Sequence, residues 1–103
     1  QSYDRSVMWN YWGYVYFSEE RFSDAMRAYR NLLAEPESTI PLRVASLYTL
    51  AQLNFVNEDY EEGVKVLLQW MDEVEVITAL RVGLFWGKHI FSLALTRNQK
   101  VKN

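Results

Sequence analysis

The side chains able to do acid–base or metal chemistry are few in this chain. His89 is its one histidine, and there is no cysteine. That excludes a thiolate site for zinc or iron–sulfur, a disulfide scaffold, and a metal centre built on several histidines. No nucleophile or orienting carboxylate is placed with His89 by spacing, so a solvated helix histidine explains it better than a general base. Glu58, Asp59, Glu61 and Glu62 form the densest acidic cluster. They lack the alternate spacing and the glycine of a calcium loop, and a helix start accounts for them. We therefore expect no catalytic residue, no cofactor and no metal, and read the chain as non-enzymatic.

What remains is aromatic surface and charge. Tyr, Trp and Phe make up 16% of 103 residues, enough to suggest base stacking, but the net charge is −2 and the basic residues gather at one end. Nucleic acid is therefore not expected as a partner. Residues 39–75 carry Arg43 and Lys65 against seven acids, a net −5; residues 76–103 carry five basic residues and no acid, a net +5. Opposite ends of this kind attract one another between copies, although ordinary solvated charge accounts for them too. The apolar stretch 77–95 contains Arg81, Lys88 and His89. A spanning helix would have to bury those groups, so a membrane partner is not favoured, and a surface helix is the residual membrane reading. The opening QSYDRSVMWN has no basic segment followed by an apolar run, so it reads as lacking a signal peptide, with its leading Gln suggesting a fragment or processed start.

The elements that position these residues repeat. Trp12-Gly13, Leu50-Ala51 and Trp86-Gly87 each set a small residue after a large one, at spacings of 38 and 36. Phe22 and Tyr60, and Tyr29 and Leu67, are again 38 apart. Each unit reads as two helices: residues 3–18 and 21–34, then 41–56 and 59–73. A fifth helix is expected over 76–95, with a polar, basic tail. Glu35-Pro36 stops the second helix, Ser38 or Thr39 caps the third with Pro41 in its first turn, and Asp59 with Glu62 has capping-box spacing. Phe22, Ala25, Met26, Tyr29, Leu32 and Leu33 line one face of the second helix. Leu67, Leu68, Trp70 and Met71 are expected to do so on the fourth. Close crossings are expected where Gly13 faces Ala25 and Ala51 faces Gly63, with Trp9, Trp12, Leu47 and Leu50 filling the space beside them. The fold class is all-α, one domain over 1–103, with units at about 6–38, 39–75 and a partial unit at 76–103.

These residues resemble the tetratricopeptide repeat (TPR) family. Trp9, Trp12, Gly13, Tyr16, Phe22, Ala25 and Tyr29 follow its pattern in the first unit; Leu47, Leu50, Ala51, Tyr60, Gly63 and Leu67 in the second; Trp86 and Gly87 in the third. The spacing exceeds the family's roughly 34 residues. Glu20 stands where Gly is common, and Arg21 replaces an acidic cap. The resemblance implies antiparallel helix hairpins stacked in a right-handed superhelix of about five helices. It also implies a concave groove lined by the first helix of each unit. Carried over, the groove comprises Asn10, Tyr14 and Phe17; Tyr48, Gln52 and Phe55; and Lys88, with Ser18, Val56, Leu84 and Phe91 at their margins. Asn10 fits a carboxylate clamp, but Tyr14 and Gln52 stand where Asn is expected, which disfavours chaperone-tail recognition.

The implied function is a scaffold or adaptor that docks a peptide or helix of a protein partner. Stretches such as YVYFSEERFSDAMRAYRNLLAEP are similar to bacterial envelope repeat proteins that accompany TonB-type systems, which implies the periplasm; the absence of Cys fits the cytoplasm as well. The apolar face of the fifth helix (Phe85, Trp86, Ile90 or Phe91) is expected to be covered by a second copy, giving a homo-oligomer through the C-terminal helix, or by missing sequence. The alternatives are a self-assembling homo-oligomer whose main contact is its own copy, and a membrane-surface module using the basic end.

Overall fold

Four helices account for nearly all of the described backbone: α1 (Ser2–Ser18), α2 (Phe22–Ala34), α3 (Ile40–Val56) and α4 (Tyr60–Lys102). The computed structural model describes the backbone of residues 1–102 and the side chains of residues 1–81, 96 and 97. The architecture is all-α, with no strand among the described residues. The chain divides into two units, Gln1–Met71 and Asp72–Asn103.

In the first unit α1 packs on α2 and α2 on α3. The start of α4 joins the same core, made of Ala25, Met26, Tyr29, Leu47, Leu50, Ala51, Leu53 and Val66. The face expected on α2 is the face it buries. Met26, Tyr29 and Leu32 are buried, with Phe22 and Leu33 half-buried. On α4 the packed face is rotated from the expected one. Gly63 and Val66 are buried, Leu67 and Trp70 half-buried, and Leu68 and Met71 exposed.

The turns α1–α2 and α3–α4 have the same construction. Glu20 and Glu58 sit 38 residues apart, and each takes the left-handed conformation, at φ 61° and 62°. The Glu20 N–H donates to the Phe17 carbonyl at 3.0 Å and the Arg21 N–H to Tyr16 at 2.8 Å. In the second turn Glu58 donates to Phe55 at 3.1 Å and Asp59 to Asn54 at 2.8 Å. Every donor and acceptor shifts by 38. Both turns are Schellman motifs, which satisfy the last carbonyls of a helix through one left-handed residue. The α2–α3 connection is different. Pro36 follows the helix end, Thr39 is the N-cap position, and Pro41 lies in the first turn of α3. Thr39 makes no side-chain cap hydrogen bond; instead the Ser38 hydroxyl donates to the Glu35 carbonyl at 3.0 Å. Arg43 Nη1 donates to the helix-end carbonyl of Leu33 at 2.9 Å.

Small residues set the α1–α2 approach. The buried residues of α1 are Ser2, Ser6 and Gly13. A Cβ on Gly13 would lie 2.7 Å from the Tyr29 ring, and one on Gly63 would lie 2.9 Å from the Phe55 ring. The glycines therefore make room for aromatic rings, not for the alanines expected opposite them. Leu47 and Leu50 fill the core as expected. Trp12 does not: it is 41% exposed and lies against Tyr11 and Tyr16.

In the second unit α4 continues as helix, with the Thr78 hydroxyl donating to the Val74 carbonyl at 2.9 Å. Val76 and Leu80 are exposed there. The break expected between a fourth and a fifth helix, near 73–78, is absent, so the described residues hold four helices and not five. The physical reason lies in Asp72-Glu73-Val74-Glu75-Val76-Ile77-Thr78-Ala79. It contains neither Pro nor Gly, and no residue takes the left-handed conformation that ends α1 and α3. The apolar face expected at Phe85, Trp86, Ile90 and Phe91 lies outside the described side chains.

Candidate interaction site

The six described candidate residues fall into one register. Asn10, Tyr14 and Phe17 on α1 match Tyr48, Gln52 and Phe55 on α3, each 38 residues on. Spacings of four and three place each set along one face of its helix. That face keeps substantial exposure although both helices pack against α2. Tyr14 is 68% exposed, and Phe17, Tyr48 and Gln52 are also exposed, while Asn10 and Phe55 are half-buried. Lys88 lies outside the described side chains.

The aromatic members are braced by neighbours. The Tyr48 ring lies 5.2 Å from Trp70, and the Phe55 ring 6.4 Å from Tyr60. Phe17 meets Phe22 edge-on at 6.1 Å. On α3, then, the two outer rings lean on α4 and leave Gln52 open between them. Phe55 also covers Gly63, so it serves packing as much as surface.

Sequence reasoning missed part of the exposed surface of α1. Tyr3, Val7 and Tyr11 are all exposed and run into Tyr14 at helical spacing. A helix apolar on most sides reads as doubly packed. The available signal was the opposite face, where Ser2, Ser6 and Gly13 are the residues that go inside.

Charge near this surface is organised at the helix ends. Glu35 accepts from Arg5 Nε at 2.9 Å and from the Ser2 hydroxyl at 2.9 Å, and the Glu37 N–H donates to Ser2 Oγ at 3.0 Å. The hydrogen bond from Arg5, then that from Ser2, holds the Glu35 carboxyl below its usual range. Arg21 begins α2, where a cation opposes the helix dipole. It is offset by Asp24 at 2.8 Å and lies 4.8 Å over the Tyr16 ring. The buried Tyr29 phenol is pushed up by desolvation.

Among the described residues no three His, Asp or Glu side chains converge to hold a metal ion. No described helix is long and apolar enough to cross a membrane. The arrangement can present aromatic rings and amides from the faces of packed helices. The class these observations define is an all-α protein of helices packed in contact. Compared with protein-family profiles, curated proteins and solved structures, the chain matches none.

Proposed function

We propose that this chain is a non-catalytic protein–protein interaction module of the tetratricopeptide type, docking an extended or helical segment of a protein partner. The observation that carries the reading is the repeated register of exposed and half-buried side chains. Asn10, Tyr14 and Phe17 recur as Tyr48, Gln52 and Phe55 at one spacing, on helices whose turns repeat at the same spacing. Aromatic side chains on preorganised helices give large contact area while the ordering cost falls mainly on the partner. A bacterial envelope complex of the TonB type is the setting the sequence resemblance favours.

The test places a photo-crosslinking residue at position 14 or 52, with position 61 as control, in native cells. The captured partner is identified, and its segment is titrated against the purified wild type and a Tyr14→Ala/Gln52→Ala variant. Both positions are exposed, so the variant keeps its fold. Capture from 14 and 52 but not 61, with binding at least about tenfold weaker in the variant, supports the groove. Equal binding by the variant overturns it.

A further inference from the structure

The repeat provides an internal control for what ought to cover α4. Along α2, Phe22, Met26 and Leu33 belong to or pack on the core shared with α3. Shifting by 38 gives Tyr60, Val64 and Met71 on α4. Met26 is 4% exposed, but Tyr60, Val64 and Met71 are 59%, 49% and 53% exposed. With Leu68, also exposed, they form an open apolar stripe spaced four, four and three residues apart, which is one helix face. The helix that should lie on it is the counterpart of α3. The Leu50-Ala51 and Trp86-Gly87 markers, 36 apart, set that counterpart at residues 76–92. A segment can cover the helix before it only after a turn, as at Glu20 and at Pro36. α4 runs from Tyr60 to Lys102 without one.

We propose that the stripe Tyr60, Val64, Leu68 and Met71 is the seat for residues 76–92 of a second copy of this chain. The two copies exchange these segments reciprocally. A two-fold exchange satisfies both stripes at once and closes the assembly. Charge agrees in sign with this occupant: the seat lies in the stretch of net −5, and residues 76–92 carry Arg81 and Lys88 and no acid. The proposal rests on the helical-repeat reading of the chain and not on the α1–α3 groove.

The experiment is sedimentation equilibrium of the full chain from 1 to 100 μM, with a photo-crosslinking residue at Val64 in a mixture of isotopically light and heavy chains. The expected result is a dimer, weakened by salt, with light–heavy adducts mapping to residues 76–92. Val64→Glu/Met71→Glu, both at exposed positions, should weaken the dimer at least about tenfold with unchanged helical circular dichroism. Inserting Asn-Pro-Asp-Gly after Glu73 supplies the missing turn and should yield a monomer. A wild-type monomer at 100 μM, adducts confined to one chain, adducts to another surface, or a dimer indifferent to the stripe variant each overturn the proposal. Tyr14→Ala/Gln52→Ala should leave the mass unchanged, so loss of the groove and loss of the exchange are read separately.

Discussion

Glu20 and Glu58 hold the same backbone conformation, 38 residues apart, in the turns that follow α1 and α3. A left-handed residue with a Cβ crowds its own carbonyl, at a cost of about 1–2 kcal/mol. Part of that is recovered on glycine, whose greater freedom in the unfolded chain works against it. Glu20→Gly and Glu58→Gly should therefore each stabilise the protein, by about 0.5–1 kcal/mol. Their effects should add, since the turns share no hydrogen-bond partner. Urea titration of the two single variants and the double variant measures this. A loss of stability in either single variant would mean that the side chain outweighs the backbone strain.

Gly13 and the Tyr29 ring are matched in the opposite sense, by space. Tyr29 is buried, so its ring has little room to retreat from a Cβ at 2.7 Å. Gly13→Ala should cost about 1–3 kcal/mol. Adding Tyr29→Leu should recover part of that loss, because the ring is what the methyl meets. A double-mutant cycle reads the coupling. Additive losses would show that the two residues do not share one space.

The Glu35 carboxylate gives the fold a pH dependence of known sign. Its folded-state pKa lies below the ordinary value, chiefly through Arg5. The contribution is therefore full above the ordinary carboxylate range, near pH 4.3, and is lost as pH falls through the lowered folded value. The stability gap between wild type and Glu35→Gln should be widest near neutrality and narrow below about pH 4. Arg5 is half exposed in its side chain, so added salt should shrink the gap as well. Urea midpoints from pH 3 to 7 test it, and a gap independent of pH would refute it.

The first three helices were legible because each carries its own punctuation. Pro36 and Pro41 bracket one connection, and the apolar stripe from Phe22 to Leu33 has a single phase. The repeat was legible from Gly13, Ala51 and Gly63, but their neighbours were not. Whether a glycine faces an alanine or a ring depends on how helices rotate, which spacing does not encode. Trp12 was misplaced for the same reason. On α4 the error was of another kind. The 36-residue marker at Trp86-Gly87 predicts a helix start, but nothing between Asp72 and Ala79 stops the preceding one. A repeat register sets where a unit should begin, while only local chemistry ends a helix. The candidate site was legible as positions on α1 and α3. The bracing of Tyr48 by Trp70 and the seating of Phe55 over Gly63 required coordinates.

The buried side of α1 has a kinetic consequence. Ser2, Ser6 and Gly13 contribute almost no hydrocarbon to the interior, and α1 adds the half-buried Tyr16 at the core's margin, whereas α2 and α3 contribute Met26, Leu32, Leu47, Leu50 and Leu53. Cooperative stability should then differ along the chain, with α1 detaching at lower free energy than the α2–α3 pair. Its amide protons should exchange with deuterated solvent well before those of α3. Tyr14 and Phe17 thus stand on an element expected to open before the α2–α3 pair, and an occupant resting on them would announce itself first as slowed exchange in α1.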